Sequence, residues 1–173
     1  MKKEEFVSLK KAKSPSFRVK SDLFILDKNA LEFLKEKAAI HESRKARICL
    51  HKNDSDKVNE MVICTYRDAY IRPHMHMKKS ESYHVIEGAF SLILFNNSGK
   101  ITKVVNITKD NIIKLPSTLW HTMIVTSKYC IMHEVTDGPF DAGSTIFAEW
   151  SPSEHEDKVV ITKYLKSLRN HLL

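Results

Sequence analysis

A chain of 173 residues, 42% of them hydrophobic, has the size and apolar content for one domain with a proper core, and its four Gly and five Pro are too few for a low-complexity chain. The net charge of +7 is dispersed, which reads as a solvated surface or a preference for anionic ligands; no basic helix or aromatic–basic motif points to nucleic acid. No run has the length and apolarity to span a bilayer, Met1 to Phe6 carries no secretory signal, and Cys49, Cys64 and Cys130 stand singly in apolar runs as buried thiols, so the expectation is a cytoplasmic protein with no membrane partner.

Residues 1–28 form a basic N-terminal arm or an edge strand. Lys2, Lys3, Lys10, Lys11, Lys13, Arg18 and Lys20 give the charge, and Ser14-Pro15-Ser16 interrupts any helix. A helix is predicted from Asn29 to Ile40, with Asn29 as its cap and Glu32 completing a capping box. Ala30, Phe33, Leu34 and Lys37 fall on its packing stripe. Strand signals then continue to Trp150: apolar or β-branched runs at 48–50, 58–66, 70–76, 82–86, 90–95, 101–107, 111–115, 121–125, 129–135 and 146–150, separated by close turns. That many short strands predict a mainly β sandwich or barrel. Residues 155–173 are a C-terminal helix, with Val160, Tyr164, Leu165, Leu168 and Leu172 on the face that packs on the barrel or, alternatively, on a second copy in a homodimer.

The chemistry gathers at Pro73-His74-Met75-His76, Glu81 and Gly88. On a strand, residues two apart share a face and lie roughly 7 Å apart, so the imidazoles of His74 and His76 can converge. Glu81 follows after a short turn and adds a carboxylate. His121, in Pro116-Ser117-Thr118-Leu119-Trp120-His121, supplies a fourth donor. Such a set suits one divalent transition metal: Zn, Fe, Mn or Ni. Alternation from His74 and His76 places Tyr70 and Arg72 on the same inward face, where Arg72 would hold a carboxylate or phosphate. Tyr83 shares the face of Glu81, and Glu134 lies on a late strand within reach of the site.

The run His-x-His, four residues, Glu, six residues, Gly resembles the first cupin motif, and Pro116 with His121 resembles the second, although Thr118 stands where that motif usually has Gly. The closer resemblance is to the WbuC family of cupin-fold metalloproteins, associated with bacterial O-antigen gene clusters. It rests on residues 44–51, on Tyr70 to His76, on Glu134 with Gly138-Pro139-Phe140, and on Phe147 to Glu154. The resemblance implies a cupin-type double-stranded β-helix, a jelly-roll barrel, over residues 29–154 including the leading helix. It also brings Arg47 and His51 to the pocket rim. The function implied is a metal-dependent enzyme acting on a small anionic or sugar-derived metabolite, by isomerisation, epimerisation or oxygenation. The catalytic base stays open, and a non-catalytic ligand-binding or regulatory module with a structural metal is the alternative.

Overall fold

The computed structural model describes residues 5–10 and 12–172; Lys2, Lys3 and Lys11 of the basic arm lie outside them. Two strands come from the arm, β1 (Phe6–Ser8) and β2 (Ser16–Val19). The helix α1 (Lys28–Ile40) follows, then β3 (Lys45–Cys49), β4 (Val58–Tyr66), β5 (His74–His76), β6 (Glu81–Glu87), β7 (Ala89–Phe95) and β8 (Ile101–Thr108). After them run β9 (Ile112–Leu115), β10 (Trp120–Val125), β11 (Tyr129–Asp137), β12 (Thr145–Phe147) and α2 (Lys158–Arg169). The strands form a seven-stranded sheet, β1-β2-β3-β4-β11-β6-β9, and a five-stranded sheet, β12-β5-β10-β7-β8. All pairs are antiparallel except β2 with β3. The mainly β jelly roll is as expected, and of the two readings of the N-terminal segment its described residues take the edge-strand one, with β1 and β2 extending one edge of the large sheet.

Alternation along the strands sorts the apolar side chains into three layers. Ala46, Ile48, Val62, Cys64 and Ile131 leave the outer face of the large sheet and meet Ala30, Phe33, Leu34 and Ala38 of α1. Tyr83, Val85, Phe90, Leu92, Met123, Val125, Cys130 and Met132 fill the space between the sheets. On the far side, Ile93, Phe95 and Ile124 meet Leu165 and Leu168 of α2. Each helix therefore covers one outer face, and the interior is left to the site.

Two helix details differ from expectation. Asp27, not Asn29, caps α1: its Oδ1 accepts from the Ala30 N–H at 2.8 Å. Glu32 closes no capping box and pairs instead with Lys35 at 2.9 Å. Ala38, four residues after Leu34, rather than Lys37 completes the buried stripe. In α2 the exposed Val160 drops out and Ile161 packs in its place.

The run at 70–76 also shortens to β5, with a consequence for the site. Tyr70 packs outward beside α2, while Ile71 packs inward between the sheets. His74 and His76 are inward as well, so the alternation changes phase at Arg72-Pro73. Between β6 and β7, Gly88 adopts φ +81°, and a Cβ there would collide with the Tyr129 carbonyl. That close approach explains why the first motif ends in glycine.

Candidate metal centre

The two sheets bring four side chains to one point. His74 and His76 come from β5 and His121 from β10, where His121 stands directly across from His74. Glu81 opens β6 on the opposite sheet. One donor atom from each lies within 4.8 Å of the others. His76, Glu81 and His121 are only 6%, 5% and 3% exposed.

Each imidazole is oriented through its other nitrogen. His74 Nδ1 donates to the Arg72 carbonyl at 2.8 Å, and His121 Nδ1 donates to the Leu119 carbonyl at 2.9 Å. In both, the acceptor is the carbonyl two residues upstream. His76 Nδ1 stands 3.2 Å from Thr145 Oγ1 on β12. Holding the proton on Nδ1 leaves Nε2 with a free lone pair, the arrangement that presents a neutral imidazole to a metal. Thr145 is a participant that the sequence did not signal, because β12 reaches β5 only through the folded sheet.

The Nε2 atoms then face the carboxylate. His76 Nε2 is 2.9 Å from Glu81 Oε1, and His121 Nε2 is 3.2 Å from Glu81 Oε2. Yet His121 Nε2 and Glu81 Oε2 are both buried without a hydrogen-bond partner. Two close but misdirected donor atoms fit a shared cation better than a hydrogen bond. Burial alone would raise the Glu81 carboxyl, but the adjoining His121 and His76 outweigh it and hold the group below the ordinary carboxylate range. His74 is pushed down to about 3 by burial and by the neighbouring His121, so it stays neutral. Three imidazoles and a carboxylate are a set that could hold a divalent metal.

The other predicted site residues divide. Tyr83 is buried two places along β6 from Glu81, and burial raises its phenol well above the ordinary value, so it is a neutral hydroxyl in the interior. Glu134 is the register partner of Tyr83 across β11 and β6 and shares its inward face. Burial, then the charge of Glu81, raises its carboxyl to about 7. Arg47 stands across from the inward Ile63 and so enters the same space.

Three residues are corrected. Tyr70 points away: its hydroxyl donates to the Pro152 carbonyl at 2.8 Å and its ring meets Tyr164. Arg72 donates to the Ala148 carbonyl at 2.8 Å and lies over the Phe147 ring, so its fork is already engaged. The phase change at Arg72-Pro73 accounts for both. His51 is fixed through Nδ1 to the backbone of Glu60, at 3.1 Å, which makes it a structural contact beyond the end of β3.

Fold and site together define a cupin-type barrel with a His/Glu cluster inside it. A family model described as a domain of unknown function (DUF6016) matches residues 26–107. No curated protein matches the chain. Among solved structures, the capsular polysaccharide assembling protein CapF from Staphylococcus aureus is similar, with 14% identity and a TM-score of 0.52 over 64% of this chain and 33% of its own. CapF with the inhibitor 3-isopropenyl-tropolone gives 17% identity and a TM-score of 0.51 over 63% of this chain and 33% of that one. Structures of the DMSP lyases RdDddP and RnDddQII give 14% identity and a TM-score of 0.50, over 61% of this chain and 53% of theirs. The chain thus spans about a third of the length of CapF, and at these identities the likeness is one of fold. None of the described helices is long and apolar enough to cross a membrane.

Proposed function

We propose that this protein is a metal-dependent cupin enzyme acting on a small anionic or sugar-derived metabolite. The observation that carries the reading is the cluster of His74, His76, Glu81 and His121, buried inside the barrel with their donor atoms within 4.8 Å of one another. When bound, a divalent metal supplies Lewis-acid or redox chemistry, according to its identity. The chain's own residues would do the rest. The Arg72 and Leu119 carbonyls keep the proton of His74 and His121 on Nδ1. Tyr83 and Glu134 offer a hydroxyl and a carboxyl at the wall beside Glu81, and either could hold or move a proton. The apolar residues between the sheets exclude water. The sugar-derived part of the reading, with a role in O-antigen or lipopolysaccharide biosynthesis, rests on the resemblance to the WbuC family.

One feature supports a second reading, a non-catalytic module. Four protein donors fill the shell of a tetrahedral zinc, as structural sites do, whereas a six-coordinate iron, manganese or nickel would keep positions open. Reconstitution with each metal, followed by azide titration and a panel of sugar nucleotides and small keto acids, separates the two. Azide-sensitive spectra with turnover of one panel member support the enzyme. A closed, exchange-inert centre with no turnover in any metal form contradicts it.

A further inference from the structure

Arg47 differs from most arginines of the chain, although the Nε of Arg18 is also buried without a partner. Arg18 pairs with Asp54, Arg44 with Asp68, Arg72 with the Ala148 carbonyl and Arg169 with the Val125 carbonyl. The Arg47 guanidinium donates to no protein group among the described residues, and its Nε is buried without a partner. Arginine keeps its charge and its five donors under all ordinary conditions. Leaving such donors unmet in a half-buried place is costly, and an absent acceptor is the ordinary explanation for an orphan of this kind.

The direction of the side chain is set by register. Arg47 stands opposite Ile63, which packs between the sheets. One row along, Cys49, Met61, Glu134 and Tyr83 are paired across four strands, and all share that inward face. Arg47 therefore reaches the interior on the wall that carries Glu81. Its surroundings carry both signs of charge. Lys45, two residues earlier, shares its face. Of the nearby carboxylates, Glu154 is taken by Lys13 at 3.1 Å, and Glu134 feels the charge of Arg47 without a direct ion pair to it.

We infer that Arg47 is the anchor for an oxyanion, a carboxylate or phosphate, on the small molecule that reaches the His74–His76–Glu81–His121 cluster. A planar guanidinium takes such a group through two parallel N–H···O bonds. The oxyanion fills the vacant donors. The ligand class is a small acid or phosphate ester with an oxygen at its other end for the cluster. This inference deepens the enzyme reading above and rests on it for that second contact alone.

Malonate and inorganic phosphate are titrated by calorimetry into wild type, Arg47→Lys and Arg47→Gln, each of measured metal content and with folding verified by circular dichroism. One of the two anions is expected to bind wild type at a single site. Its affinity should fall about tenfold in Arg47→Lys, which loses the fork, and further in Arg47→Gln. The better anion identifies the group as carboxylate or phosphate. Equal affinity in wild type and Arg47→Gln, or no binding of either anion by wild type, overturns the assignment. If Arg47→Gln does not fold, the same comparison is made with Arg47→Lys. The measured metal content separates the two claims: Arg47-dependent binding by a chain that holds no metal as isolated and takes up none on reconstitution leaves the anchor standing and removes the metal reading.

Discussion

Glu81 lies between two imidazoles with no lysine partner among the described residues, although Lys78 and Lys79 precede it by three and two residues. If its carboxylate is a ligand, Glu81→Gln keeps the shape and loses the charge, and metal affinity should fall on the order of tenfold or more. Competition against a coloured chelator measures this; unchanged affinity would reduce the site to three histidines. Glu134 gives a pH prediction for the metal-free protein. Its carboxyl rises from an ordinary 4.5 to about 7, so it favours the folded state below pH 4.5 and withdraws that contribution as the pH climbs through 7. Glu134→Gln should leave stability nearly unchanged at pH 4 and raise it at pH 8, by about 2 kcal/mol or roughly 5 °C in melting midpoint. A midpoint that does not rise at pH 8 would show the carboxyl to be solvated. His74 has the opposite sign: with its pKa down from 6.5 to about 3, its contribution is lost as the pH falls between those values. At this scale the sequence was legible where spacing alone decides, as for His74 and His76. It misled at Tyr70 and Arg72, because Pro73 changes the phase of the strand that the alternation argument assumed to be continuous.

Among the elements, the loop that delivers His121 is the most constrained. Thr118 adopts φ 67°, in the left-handed region that β-branched residues avoid, and its N–H donates to the His76 carbonyl at 2.7 Å. The loop is thus tied to the strand that carries two other members of the cluster. Because that bond uses only backbone, Thr118→Gly should keep it and relieve the strain, stabilising the protein by about 1 kcal/mol with unchanged metal content. A lower melting temperature in Thr118→Gly would show that the threonine side chain matters in its own right. The departure from the cupin pattern was visible at Thr118; that the backbone keeps the glycine-like conformation was not. The start of α1 shows a similar limit. Asp27 and Asn29 are both residue types that cap well, and only the folded chain shows that the Asp27 carboxylate meets the Ala30 N–H. Asp27→Ala should cost about 1 kcal/mol, measured by urea unfolding, whereas Asn29→Ala should cost far less.

Across the whole molecule, the cluster joins the two layers of the sandwich: three histidines come from the five-stranded sheet and one glutamate from the seven-stranded sheet. The succession of short strands made this mainly β architecture readable, and the histidine spacing made the centre readable. The sequence left residues 1–28 open between a basic arm and an edge strand; the edge position could not be chosen from it, because β1 and β2 are short and gain their ladder only by pairing with each other and with β3. A metal held across the two sheets binds the folded chain alone, and stabilises it by about 4 kcal/mol at a thousandfold excess over Kd. Elemental analysis of wild type beside the double variant His74→Ala/His76→Ala, with melting curves before and after chelation, tests the central claim most directly. The account predicts one divalent metal per chain in wild type, none in the variant, and a melting temperature that drops by several degrees only in wild type on chelation. Full metal occupancy in the double variant, or a wild-type melting curve unmoved by verified metal removal, would contradict it.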